Sequence, residues 1–506
     1  MCIRDRLKTT DKYAQLEALS FGNRSDAERR RATTRPTVPD NAIEHDLLWN
    51  TRVDFESDDI TPEFERDVEV ITTNPVYRRL SDMGQLAPSF SHIFQNRMSH
   101  TNHVARVSGK LCKAMHLDAD STTLADAIAR AHDIGHAPFS HEAEKVFNEK
   151  LKLVGGEWDH DYYGMRILTD RGQALLNSEG LPLTAAVLEG TLKRFRRFTE
   201  EPIEGGDIYH VPLSKVPTTI KDLEAEQELF QLEKWNHVEG QIVSTSDWIA
   251  GTCSDFRDLL LWELEQSKGD MSQFPEHAAA VVQHLPLAQD KWNELQALIP
   301  DEKKTDVYMQ HKAIRIFAKM LEKELITDVL NHTLASYQSH ETTITHAEDI
   351  RELDNLLVTF SPEIFQQMTA LKKAHSKILY PNILKEHIDT EEMMREFYDV
   401  AKESFEGEGG LEIAGDWKKF YDEISAENST RATERGKTHI IIDYIASGFT
   451  DKDVMHLMQK HKPEIYEALT SGAKEGVYPM HMPPPTTVWS KILNLVNNLA
   501  GTPERG

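Results

Sequence analysis

The chain has 506 residues, with 57 Lys and Arg against 83 Asp and Glu and a formal net charge of −26. Such an acidic field excludes a general binder of duplex nucleic acid or other polyanions. It leaves room for a small anionic substrate, because a metal ion and a few arginines reverse the sign locally. At 39% hydrophobic and 28% charged, the composition is globular, with apolar mass for one large unit or two fused ones. Cys2, Cys112 and Cys253 show no paired spacing, which points to a reducing compartment. No run of about 18 apolar residues suggests a membrane span, so no membrane partner and a cytoplasmic location are expected.

Met1–Arg6 reads MCIRDR, lacks an apolar signal core and looks like a cloning or assembly remnant. Residues 7–45 are rich in Arg, Thr, Asp and Pro with weak periodicity, so 1–60 is expected to be a poorly ordered lead-in. From Thr61 the helical signals become regular. Ser99 is placed to cap a helix whose apolar face runs Val104, Val107, Leu111 and Met115. The next helix, near 121–134, puts Leu124, Ile128 and Ala131 on one side and breaks at Gly135 and Pro138. Helical spacing returns over 141–153, 159–170, 183–195 and 238–262. The stretch 200–220, with Gly205-Gly206 and Pro202, Pro212 and Pro217, predicts a loop or small hairpin. Long helices are expected at 306–337 and 346–374, and a tail begins near 479 with MHMPPPTT. The predicted fold class is all-α: a core over 61–265, a helical region over 266–478 packed on it, and a tail over 479–506.

With 23 histidines in the chain, a lone histidine means little. Spacing sets some apart. His132 continues the Leu124 and Ile128 stripe and therefore faces inward, while Asp133 beside it is costly to bury without a partner. A polar helix end accounts for that pair but not for His136 and His141 in the same short segment. His100 shares the buried face of Val104 and Val107, and Asp247 interrupts VEGQIVSTSDWIAGTC between Val243 and Ala250. Two imidazoles and two carboxylates make a mixed N/O set for a divalent transition metal or Mg²⁺. Such a set leaves positions open for water and a phosphate oxygen, as a hydrolytic metal requires.

His100…His132-Asp133…Asp247 resembles the H…HD…D signature of the HD-domain metal phosphohydrolases. The flanking text is more specific. NPVYRRLSDMGQLAP (74–88), RMSHTNHVARVSGKL (97–111) and AHDIGHAPFSHEAE (131–144) are similar to blocks of the dNTP triphosphohydrolases. HDYYGMRIL (160–168), LTAAVLEGTLKR (183–194) and VEGQIVSTSDWIAGTCSDFRD (238–258) follow in the same order, with the bacterial dGTPase branch most alike. The resemblance implies an HD-domain helical bundle whose His100, His132, Asp133 and Asp247 hold one divalent ion: Mn, Mg, Fe or Zn, with Mg accompanying the triphosphate. It places His136, His141, Glu144 and His160 around the reacting phosphate, with Glu144 one turn from His141 and able to orient it. Arg97 matches a phosphate-contacting arginine, and Gln85 and Leu86 match positions that contact the deoxyribose. The implied reaction takes 2′-deoxynucleoside 5′-triphosphates, dGTP among them, to deoxynucleoside and triphosphate, in a dimer-based homo-oligomer that reaches a tetramer or hexamer.

Two positions depart from the family pattern: Gly251 stands where an aromatic residue is usual, and Ser254 where histidine is common. Both affect the base or sugar pocket and not the metal. Lys193, Arg194, Arg196 and Arg197 read as a solvated helix face rather than a group that steers triphosphate. H…HD…D by itself also serves 5′-nucleotidases and phosphodiesterases, and a non-catalytic nucleotide sensor is the alternative from another class. The Arg97 and Gln85 blocks and the His141/Glu144 pair favour the triphosphohydrolase.

Overall fold

The computed structural model describes residues 12–35, 62–85, 94–169, 181, 183–199, 210–266, 276–374 and 389–470. Short stretches within these are excepted, at 214–215, 217–220, 222–223, 226–227, 305, 341, 414 and 427–430. Leu86 and the tail over 479–506 therefore lie outside the described residues. The N-terminal half contains α1 (Asp26–Thr33), α2 (Glu63–Thr73), α3 (Pro75–Arg79), α4 (Arg97–Ala114) and α5 (Ala119–Ala131). It continues with α6 (His141–Val154), α7 (His160–Thr169), α8 (Ala185–Lys193) and the long α9 (Val238–Gln266). The C-terminal half adds α10 (Glu276–Val282), α11 (Pro286–Gln296), α12 (Val307–His340), α13 (Pro362–Ala374) and α14 (Thr390–Phe405). It ends with α15 (Gly415–Ala426), α16 (Arg431–Gly448), α17 (Asp451–His461) and α18 (Pro463–Thr470). The fold is all-α.

Helical periodicity explains the centre of the packing. Val104, Val107, Leu111 and Met115 of the α4 stripe are buried, as are Leu124, Ile128 and Ala131 of α5. Helix α4 packs on α5 and α9, α5 on α2 and α8, and α9 on α12. Asn96 rather than Ser99 caps α4: its side chain accepts the Ser99 N–H at 2.8 Å, so Ser99 lies inside the first turn. The single helix expected over 346–374 is two elements, a 3₁₀ turn at Ala347–Glu352 and then α13. Pro362 opens α13, the position where a missing N–H does least harm. Of the loop or small hairpin expected over 200–220, the hairpin is corrected. Among the described residues the only sheet pairs β1 (Arg197–Thr199) with β2 (His210–Pro212) in parallel, which a tight turn cannot join. Gly205-Gly206 falls outside the described residues.

The lead-in is ordered where it is described. Leu16, Leu19 and Phe21 are buried, Arg24 pairs with Glu239 of α9, and Arg31 reaches Glu189 of α8 at 3.0 Å. These arginines of the Arg-rich lead-in neutralise carboxylates buried in the core. Glu189 also takes Lys193 at 2.8 Å and Arg351, so one carboxylate serves three cations. Glu189→Ala is therefore expected to destabilise the chain by about 3–5 kcal/mol, read as a fall in the urea midpoint. A change below about 1 kcal/mol, as for a surface pair, contradicts that reading of the cluster. Burial alone would raise the Glu239 pKa, but Arg24 and His237 hold it down to about 2. The stability this pair contributes is full above the ordinary value of 4.5 and fades as pH falls towards about 2. Acid titration of the melting temperature, with and without Glu239→Gln, measures it. Cys112 and Cys253 are buried free thiols. Among the described residues no helix is long and apolar enough to cross a membrane.

Candidate active site

Three helices bring the two imidazoles and two carboxylates together. His100 comes from the first turns of α4, His132-Asp133 from the end of α5, and Asp247 from the middle of α9. His100 Nε2 lies 2.9 Å from Asp247 Oδ1 and 3.9 Å from Asp133 Oδ2. His132 Nε2 lies 3.3 Å from Asp133 Oδ1 and 3.7 Å from Asp247 Oδ1. His132 Nδ1–H donates to Ala129 O at 2.6 Å, so its Nε2 is the atom left with a lone pair. That Nε2 is buried with no hydrogen-bond partner, a group that a bound cation would satisfy. Burial opposes ionisation of both carboxylates. His132, Arg97 and His136 nevertheless hold Asp133 well below the usual range, and His100 and His132 do the same for Asp247. One donor atom each from His100, His132 and Asp247 lies within 4.8 Å of the others. These three fit a divalent cation by donor type and ionisation, and Asp133 stands beside them with Oδ2 taken by Arg97 at 2.7 Å.

Beside it stands a second cluster. Gly135 presses the loop after α5 against α7, where an added Cβ would lie 2.1 Å from His160 O. This close approach stacks His136 on His160, centroids 3.9 Å apart and planes 18° apart. Burial and the neighbouring Arg97 push the His136 pKa well down, so this ring is neutral. Burial lowers the His160 pKa as well, but Asp161 and Glu144 more than offset it and raise the pKa. Glu144 Oε2 bonds His141 Nδ1 at 3.2 Å and His160 Nδ1 at 3.1 Å, so one carboxylate orients both rings. Glu144 itself is held down to about 2 by these histidines against its burial. The His141 side chain is 52% exposed, and its ring lies 5.4 Å from those of His136 and His160.

Arginines line the same cleft. Arg97 is buried, donating from Nη1 to Asp133 Oδ2 at 2.7 Å and from Nε to Ser140 Oγ at 2.8 Å. The basic run after α8 is not a solvated face, which corrects the sequence expectation. Lys193 is fully buried on Glu189, and Arg194 leaves the helix with φ +43 and turns into the site. Arg194 Nη2 donates to His132 O at 2.6 Å and lies 3.0 Å from Asp161 Oδ1, while Nη1 is 3.8 Å from Asp247 Oδ2. Arg196 Nη1 is 3.0 Å from Asp161 Oδ2. Sequence reading put Arg194 on a solvated face and missed Asp161. The only signal for Asp161 was its place beside His160 in HDYYG. Arg194→Ala is expected to lower nucleotide affinity or turnover by roughly tenfold while metal content stays near the parent's, since a guanidinium offers donors only and no ligand atom to a cation. Unchanged kinetics would leave it a helix-end residue.

Gln85 stands next to Gly84, whose carbonyl accepts the Ser140 hydroxyl at 3.3 Å. Gln85 Oε1 is buried and unpartnered. An added Cβ at Gly251 meets nothing within 4 Å, so the missing aromatic leaves open space beside Asp247. Trp248, one turn away, offers the local aromatic surface, stacked on Phe365 with Lys372 Nζ 4.0 Å from its ring centre. Ser254 is buried, its Oγ 3.2 Å from His103 Nδ1, and so belongs to the packing between α4 and α9.

A helical bundle in which His100, the His132-Asp133 pair and Asp247 converge defines an HD-domain protein. The HD domain family model indeed matches residues 97–250. Similar curated proteins extend the match well beyond those residues. One from Bartonella tribocorum is 30% identical over 329 residues, covering 63% of this chain and 71% of its own. One from Brucella suis is 30% identical over 72% of this chain and 80% of its own, and one from Cereibacter sphaeroides 26% over 77% and 90%. All three are named deoxyguanosinetriphosphate triphosphohydrolase-like protein. The chain belongs to this family of HD-domain nucleotide triphosphohydrolases.

Proposed function

We propose that the protein hydrolyses 2′-deoxynucleoside 5′-triphosphates, dGTP among them, to the deoxynucleoside and inorganic triphosphate. The observation that carries this reading is the junction of two clusters. The acid-and-imidazole set of His100, His132, Asp133 and Asp247 lies against His136, His141, His160 and Glu144, with Arg97 touching both Asp133 and the turn before His141. When bound by that first set, a divalent ion (Mn, Mg, Fe or Zn) supplies Lewis acidity that polarises a phosphoryl oxygen and acidifies water. His141 uses Nδ1 on Glu144, which leaves Nε2 to deliver a proton to the departing 5′-oxygen. Arg97 and Arg194 neutralise charge that grows on the α-phosphate oxygens. Gln85 brings an unsatisfied oxygen for a sugar hydroxyl, and Leu86 is its proposed neighbour at the deoxyribose. A dimer-based homo-oligomer belongs to the same reading, and a measured solution mass near the 57.8 kDa of one chain would overturn it.

Product analysis tests the reaction. Each dNTP is incubated with Mg²⁺ or Mn²⁺ in ¹⁸O-water, and triphosphate, pyrophosphate and phosphate are separated. The expected result is intact triphosphate labelled on one terminal phosphate and an unlabelled nucleoside. Label in the nucleoside hydroxyl, or pyrophosphate as the primary product, assigns the protein to another class of hydrolase.

A further inference from the structure

The turn that leads into α6 has an unusual backbone. Phe139 and Ser140 both have φ +54, and Ser140 has ψ −118, a region nearly reserved for glycine. Neither residue is glycine, so surrounding contacts must hold the turn. Those contacts come from the far end of the chain. Asp451, in the first turn of α17 and 1% exposed, accepts the Phe139 N–H at 2.7 Å and the Gly84 N–H at 2.8 Å. One carboxylate thus ties together the two loops, which also meet where the Ser140 hydroxyl donates to Gly84 O at 3.3 Å. An acidic residue in a first helical turn commonly serves only to complement the helix. Here that task is already filled: Thr450 and Asp453 form a capping box on α17.

A second tie runs in parallel. Arg79 is buried, donating to Ile134 O at 3.1 Å and His136 O at 2.7 Å in the loop after α5. Its other nitrogen donates to Ala446 O and to Phe449 O at 3.2 Å, at the end of α16. The α16–α17 junction therefore grips both strands of the loop that carries His136 and launches His141. The pinned turn reaches the chemistry by two short routes. Ser140 Oγ receives Arg97 Nε at 2.8 Å and itself donates to Gly84 O. His141 follows Ser140 as the first residue of α6.

We propose that Asp451 is a positioning residue for the reaction, acting with Arg79. It fixes the Phe139–Ser140 turn against Gly84 and thereby aims Arg97 and His141 at the reacting phosphate. The inference rests on the hydrolase reading for its kinetic consequence, while its structural content stands independently. It also gives the C-terminal half a task in the site, although among the described residues none of α16 or α17 bonds to His100, His132, Asp133 or Asp247.

The test uses the full-length, metal-loaded protein and Asp451→Asn, which keeps side-chain shape and one acceptor oxygen while turning an NH₂ towards one of the two donors. In the unmodified protein, amide exchange of Gly84 and Phe139 is expected to be slow. In the variant both amides should exchange at least about tenfold faster, with α12 unchanged and metal content near the parent's. Turnover should fall at least about tenfold in kcat with KM within about threefold, and His141→Ala should cost far less in this background than in the parent. Fast exchange of either amide in the unmodified protein overturns the proposal without any variant. So does a folded Asp451→Asn protein with parental exchange or parental kcat. Should the parent release no triphosphate from any dNTP, the hydrolase reading fails, and the exchange measurements still decide whether Asp451 pins the turn.

Discussion

Asp247→Ala is expected to abolish both metal retention and turnover while leaving the fold intact. Its carboxylate faces His100 and His132, and its side chain is 23% exposed, against 5% for Asp133. Removing it strands no buried cation, because Arg194 keeps Asp161 at 3.0 Å. Asp133→Ala should lose metal too, but with a second consequence. Arg97 then keeps a buried charge with only the Ser140 hydroxyl, and breaking such a buried pair costs about 3–5 kcal/mol. The two variants thus separate metal chemistry from stability: both inactive, only Asp133→Ala melting well below the parent. Since a bound cation contributes several kcal/mol to a phosphoryl-transfer transition state, the loss in kcat should be roughly a thousandfold or more. Elemental analysis decides the ligand assignment. Full metal occupancy in both variants would sink it.

The convergence of His100 and His132 was legible because each obeys a local rule. His100 shares a helical stripe with Val104 and Val107, and His132 continues that of Leu124 and Ile128, so period alone turned them inward. The residues that sequence reading missed depend on distant partners. Arg24 and Arg31 look like solvated lead-in charges until Glu239 and Glu189 are seen to be buried, 215 and 158 residues further along the chain. Arg194 belongs to a cationic run, and such runs usually face water. Only its left-handed backbone and the burial of Lys193 on Glu189 turn it into the cleft. Asp451 is further still from recognition. It lies 312 residues after the amide it holds, in a helix whose own capping already accounts for an acidic first turn. Spacing within one helix is visible in a sequence; a carboxylate that closes a loop from another part of the fold is not.

The Glu144 bridge sharpens what His141→Ala should do. The imidazole is half exposed and its removal opens no core cavity, so fold, metal and nucleotide binding should survive. Were His141 only a residue at the start of α6, its loss would cost no more than about 1 kcal/mol of stability and leave turnover nearly intact. A general acid contributes roughly 10²–10⁴-fold in rate, so the expected fall in kcat is at least about a hundredfold. Glu144→Gln should move in the same direction, and for more than one reason. Its Oε2 orients His141 and also His160, and a carboxylate held down to about 2 stays charged throughout the working range, which an amide cannot imitate. The double variant His141→Ala/Glu144→Gln should then be much less than additive, because both members act on one proton. If His141→Ala stays within about threefold of the parent, the proton comes from elsewhere. His136 is buried and held neutral, whereas His160 keeps Glu144 and Asp161 as partners that favour its protonated form. His160 is therefore the acid that a surviving His141→Ala enzyme would reveal.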